Sequence, residues 1–202
     1  MKPNPVAAAI AAFRHPLRLS SRPAALTRPC PVPAASGLYA WYFRELPPGV
    51  PGSKCVKHKG LTLLYIGIAP RRPAGGGGKV SGRRLRQRVR QHYSGNASAS
   101  TLRFTLGCLL SERLGIELRR RGSGERMTFG CGEALLSEWM EKNAFVSWLE
   151  HSSPWTLEAG VIRELRPPLN LAENASHPYY IRLSAVRLDA RNRARALAAM
   201  VD

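Results

Sequence analysis

The chain has 202 residues, 44% of them hydrophobic and 22% charged, which is enough to build and bury one globular core. Its formal charge of +18 is unevenly spread, because residues 1–111 hold 18 Lys or Arg against the single acid Glu45. No window approaches the roughly twenty apolar residues needed to cross a bilayer, and Cys30, Cys55, Cys108 and Cys131 include no Cys-x-x-Cys pair, so a membrane span, a zinc module and a disulfide framework are all disfavoured and a soluble, cytoplasmic protein is expected.

Residues 1–35 are rich in proline and alanine, contain Lys2, Arg14, Arg18, Arg22 and Arg28, and have no acid. This composition predicts a disordered basic arm. Ordered sequence is expected from Ser36, where GLYAWYF at 37–43 alternates aromatic residues in the manner of a strand. Residues 44–60 read as a long connection, and LTLLYIG at 61–67 as a second strand buried on both faces. Two strands joined this way are most simply antiparallel, which would bring Tyr39 and Tyr65 close together.

Between positions 71 and 90 lie Arg71, Arg72, Lys79, Arg83, Arg84, Arg86, Arg88 and Arg90, with no acid among them. Such a density repels itself unless an anion neutralises it, so a polyanion is the expected partner. Gly75 to Gly78 before Lys79 fails the nucleotide-binding P-loop pattern: Pro73 replaces its first glycine, and Val80 stands where a magnesium-binding hydroxyl is needed. A flexible loop without a nucleotide cofactor is the reading. From Ser81 as N-cap, Leu85, Val89 and Tyr93 mark the buried stripe of a helix, with Arg84, Arg88 and His92 on the neighbouring stripe.

After a polar connector at 94–100, Leu102, Leu106, Leu109 and Leu110 predict a helix over 101–114 with Gly115 as its cap. A small hairpin around Gly122-Ser123-Gly124 and a helix over 133–142 follow. AFVSWL at 144–149 suits a third core strand. Ser153-Pro154 opens a further helix with Leu157, Val161 and Leu165 on one stripe and Glu158 in its first turn, and Pro167-Pro168 closes it. The tail, from about Ile181 to Met200, reads as an Arg-rich amphipathic helix packed on the surface.

Taken in order, Gly37-Leu38-Tyr39, Tyr65-Ile66-Gly67, Leu85-x-x-Arg88-Val89-x-x-His92, and Glu158-Ala159 ending in Pro167-x-x-Asn170 resemble the GIY-YIG nuclease superfamily. That superfamily includes stand-alone bacterial proteins and the amino-terminal incision domain of a DNA-repair excinuclease. LEAGVIRELRPPLN looks most like the metal-site helix of that incision domain. The resemblance implies an α/β (α+β) fold: a small three-stranded antiparallel sheet flanked by helices. Here it would span 36–175, with a helix-hairpin-helix insertion at about 94–143 and a C-terminal helix in 176–202.

By the same resemblance, Glu158 would hold one Mg²⁺ or Mn²⁺, Arg88 would clamp the phosphate with both arms of its guanidinium, and Tyr39 or Tyr65 would take a proton from water. His92 would orient water or phosphate. Asn170 would buttress the glutamate helix, while Gly37 and Gly67 would support the strands. Arg71, Arg72, Lys79, Arg83, Arg84, Arg86 and Arg90 would grip the backbone of a nucleic acid, expected to be DNA. The implied function is a divalent-metal-dependent endonuclease. The alternative is a catalytically silent module that keeps the fold and the charge.

Overall fold

A computed structural model of the chain describes residues 4–71, 82 and 84–200. At its centre β1 (Gly37–Phe43) is buried along its whole length, between β3 (Leu61–Ala69) on one side and β6 (Ala144–Glu150) on the other, both antiparallel to it. The alternation expected of such a strand places Tyr39, Trp41 and Phe43 in one apolar layer and Leu38, Ala40 and Tyr42 in the other. In β3 the alternation is interrupted. Trp41 pairs with Tyr65 and Tyr42 with Leu63, so Leu64 is an extra residue. This bulge leaves Leu64 and Tyr65 in the same layer.

The sheet has four strands rather than the three expected. β2 (Lys57–His58) pairs with Thr62 and Leu61 across the two-residue turn Lys59-Gly60, both of which have positive φ. Two polar residues carry no alternation to read, and Lys-Gly is a weaker turn signal than Asn-Gly, so this hairpin was not visible in the sequence.

The layer below the sheet is covered by α1 (Pro5–Arg14) and α6 (Trp155–Leu165), which contribute Ala9, Phe13, Leu157, Val161, Ile162 and Leu165 to one cluster. Over the described residues 4–35 the expectation of a disordered arm is therefore corrected. Asn4 caps α1, Phe13 is buried, and the Tyr42 hydroxyl donates to the Phe13 carbonyl. A second short helix, α2 (Arg22–Leu26), buries Ala25 above the sheet. Val6, Ala9, Ile10 and Phe13 recur at helical spacing. Abundant alanine and flanking proline obscured that stripe.

The upper layer holds α3 (Leu85–Ser94), α4 (Thr101–Leu114), α5 (Gly132–Asn143) and α7 (Tyr180–Ala196), with a small hairpin of β4 (Arg119–Arg120) and β5 (Met127–Thr128) between α4 and α5. The helix-hairpin-helix insertion is thus formed. Its helices are knitted by the fully buried Arg103 of α4, which pairs with Glu133 of α5 at 2.7 Å and also donates to the Glu133 carbonyl. Glu133 in turn accepts the backbone N–H groups of Ala97 and Phe129, so the buried charges are fully hydrogen-bonded. The expected N-cap Ser81 lies outside the described residues, and α3 begins only at Leu85.

Candidate active site

Pairing in the sheet sets the first part of the site. Tyr39 lies opposite Gly67, and Tyr65 lies opposite the next upward-facing residue, Trp41, so the two phenols are diagonal neighbours on one face. Gly67 is required here by space, because a Cβ at that position would lie 2.5 Å from Tyr39 Oη and 2.6 Å from its Cζ. Gly37 is equally confined, since its Cβ would lie 2.2 Å from the Leu149 carbonyl oxygen.

α3 presents Arg88 and His92 to the same face, as the four-residue spacing predicts, and both are buried. Arg88 Nε–H donates to Tyr39 Oη at 3.3 Å, and His92 Nε2 lies 2.9 Å from the same oxygen. The insertion holds both residues from behind. Arg88 Nη1 donates to the Ala99 carbonyl and to Gln91, and His92 Nδ1 lies 2.7 Å from Ser100 Oγ. Ser100 also caps α4 by accepting the Arg103 N–H, so one hydroxyl serves the helix start and the imidazole together. Ala99 and Ser100 were not recognised in sequence. The only signal was a Ser at a helix N-cap, which is ordinary.

Burial and neighbouring charge fix the protonation of these groups. His92 is pushed well below its usual pKa by burial, with Arg88, Arg103 and Arg71 acting in the same direction, so the ring is neutral. Burial raises the Tyr39 phenol above its usual value, although Arg88 opposes this. Tyr65 is raised as well, again by burial first. Desolvation here outweighs the guanidinium. The fork of Arg88 is also partly committed. Its Nε and Nη1 have protein partners, and only Nη2 is without one among the described residues.

Tyr39, Tyr65, Gly67 and Arg88 line a cavity of about 520 Å³ together with Glu158, Arg71, Asn170 and Arg187. Glu158 projects into it from the first turn of α6. Its carboxylate makes no hydrogen bond or ion pair among the described residues, and its pKa is raised by burial and by Glu173, with Arg71 opposing. A desolvated carboxylate of this kind, beside open volume for water and phosphate oxygens, suits a hard divalent cation that keeps most of its own water.

Asn170 gives its support through the chain that leaves α6. Its side chain accepts the Ile66 N–H at 2.9 Å and donates to the Ile66 carbonyl at 2.8 Å, while the Leu169 N–H donates to the Leu64 carbonyl. The segment after α6 is thereby zipped onto the part of the β3 edge that β2 leaves open.

The predicted phosphate-gripping residues divide. Arg71 lines the cavity, whereas Arg72, Lys79 and Arg83 lie outside the described residues. Arg84, Arg86 and Arg90 do not line it. Arg84 donates to Ser36 Oγ and Arg86 to the Val32 carbonyl, tying α3 to the preceding segment, and Arg90 is exposed. Arg187, from the tail helix expected to pack on the surface, reaches the cavity instead.

Phenol, guanidinium, imidazole and carboxylate converging at the edge of a small antiparallel sheet define a nuclease-type fold. The family model of the GIY-YIG catalytic domain matches residues 37–188, and the chain belongs to that family, whose members are generally endonucleases that use divalent metals. No curated protein and no solved structure matches the chain.

Proposed function

We propose that the protein is a divalent-metal-dependent endonuclease that hydrolyses phosphodiester bonds in nucleic acid, with DNA as the expected substrate. The observation that carries this reading is the double engagement of Tyr39 Oη by Arg88 and His92 inside the cavity that Glu158 enters. Tyr39 is the better general base of the two tyrosines, because Tyr65 has only an edge contact with His92, at 6.1 Å between ring centroids. Tyr39 Oη takes a proton from the attacking water as a phenolate, to which the Arg88 Nε–H and, in the tautomer with its proton on Nε2, neutral His92 donate. Ionising the buried phenol is the cost of this step, and those two donors lower it. The resulting hydroxide oxygen bonds to phosphorus as the bond from phosphorus to the leaving oxygen breaks; the leaving alkoxide takes a proton from solvent water, and the phenol loses its proton to solvent before the next turnover. Arg88 Nη2 meets the charge on a non-bridging oxygen, and the guanidinium stays ionised throughout.

Glu158 would hold one Mg²⁺ or Mn²⁺, which when bound supplies Lewis-acid neutralisation of the phosphodiester and of the leaving oxygen. The test is a cleavage panel of branched, nicked and linear DNA and RNA with Mg²⁺, Mn²⁺ or chelator. Metal-dependent internal cleavage of at least one substrate is expected. Intact substrates throughout, with binding retained, would favour the catalytically silent module.

A further inference from the structure

A second cavity, of about 460 Å³, adjoins the catalytic one and shares Arg71, Thr101 and Arg187 with it. Its remaining wall comes from the insertion and the C-terminal helix, through Phe104, Arg126 and Arg191. Arg187 and Arg191 lie over the same Phe104 ring, with guanidinium carbons 5.0 and 4.5 Å from its centroid, and the Arg187 Nε is buried with no hydrogen-bond partner. Neither of these arginines nor Arg71 or Arg126 forms an ion pair among the described residues. Their neighbours do: Arg193 pairs with Asp189 and Arg195 with Glu125. Glu125 also borders this cavity, but Arg195 occupies its carboxylate.

Four uncompensated guanidiniums along one groove, two of them stacked and partly desolvated, are unfavourable without an anion. Because the groove opens directly from the site of proposed phosphodiester cleavage, we infer that it carries the substrate strand beyond the scissile phosphate, with Arg126, Arg187 and Arg191 contacting successive parts of its backbone. This inference rests on the nucleic-acid substrate of the proposed function. Arg126 lies in the insertion and Arg191 beyond the family match, so the wall is built by segments outside the motifs that define the site.

The test reads binding rather than cleavage, with the full chain in chelator. Affinity for a single strand of about twelve nucleotides, within the range such grooves cover, is measured against salt for wild type and for the double variant Arg126→Gln/Arg191→Gln. The double variant is expected to bind at least tenfold more weakly at about 0.1 M salt, and its slope of log affinity against log salt should be shallower by about 1.4, the release expected for two lost phosphate contacts on a single strand. The Lys counterparts should recover most of the slope. If the double variant does not fold, Arg126→Gln alone, at an exposed position, should reduce the slope by about 0.7.

Unchanged affinity and slope in a folded variant would overturn the inference, as would loss of oligoglutamate binding with nucleic-acid binding retained, which would assign the groove to an acidic peptide. Failure of the wild type to cleave any substrate would count against the nuclease reading and leave this one standing. Cleavage with an unaltered salt slope would do the reverse.

Discussion

Gly67 and Tyr39 share a volume that admits only one side chain. Adding a methyl group in Gly67→Ala places it 2.5 Å from the Tyr39 hydroxyl oxygen, so the ring must move out of its contacts with Arg88 and His92. Displacements of about 1 Å in a catalytic group can cost ~10²-fold in rate, and overpacking costs ~1–3 kcal/mol. Cleavage should therefore fall by about that factor, while a melting curve shows the protein still folded. A wild-type rate would mean that the position of Tyr39 is immaterial. His92 gives a prediction in pH. Above about pH 6.5 the imidazole is neutral in both folded and unfolded chains and adds no pH dependence. Below that, the unfolded chain binds a proton that the buried ring refuses, so stability falls with pH by up to about 1.4 kcal/mol per unit until the depressed folded pKa is reached. Urea titrations at pH 7 and pH 5 should show a smaller loss on acidification for His92→Gln than for wild type. Equal losses would place a charged imidazole in the folded protein.

The site depends as much on elements that only hold others. The segment after α6 covers the part of the β3 edge beyond β2 through Asn170, so Asn170→Ala leaves the Ile66 N–H and carbonyl without their partner. The expected loss is about 2 kcal/mol or more, read as a lower denaturant midpoint at unchanged slope. An unchanged midpoint would show that this edge contributes nothing to stability. The insertion holds the back of Arg88 and His92. Ser100→Ala should lower stability by about 1 kcal/mol through the lost cap and lower cleavage more than tenfold through His92, with Ser100→Thr retaining most of both. A lost cap with full cleavage would separate α4 from catalysis. These couplings were not legible in the sequence, because a carbonyl such as that of Ala99 has no side-chain signature and Ser100 looks like any other helix cap. The candidate site residues were legible for the opposite reason. Tyr39, Tyr65, Arg88, His92 and Glu158 stand at the motif positions of the family resemblance, on strands and helices whose spacing sets which side chains share a face.

Over the whole molecule, composition pointed to a polyanion partner, with the expected basic grip between positions 71 and 90. In the fold, Arg84 and Arg86 fasten α3 to the segment before β1, while Arg187 and Arg191, far away in sequence, stand beside the cavity. Charge density along a chain does not say where the chain returns. The N-terminal helix was hidden for a related reason, since its stripe of Val6, Ala9, Ile10 and Phe13 becomes informative only once α6 and β6 offer a surface to cover. In the proposed function it is Glu158 that makes this fold an enzyme. Glu158→Gln keeps the shape and helix propensity of the side chain but removes its charge. In the folded metal-free protein the Glu158 carboxyl is raised in pKa, so its ionised form opposes folding at neutral pH, and the amide should leave the melting temperature equal to wild type or higher. The decisive measurement is single-turnover cleavage of a substrate the wild type cuts, with saturating Mg²⁺ or Mn²⁺, by wild-type and Glu158→Gln protein of matched melting temperature. A fall of ~10² or more in the variant, several kcal/mol of lost transition-state stabilisation, is the predicted result, and cleavage at the wild-type rate would contradict it.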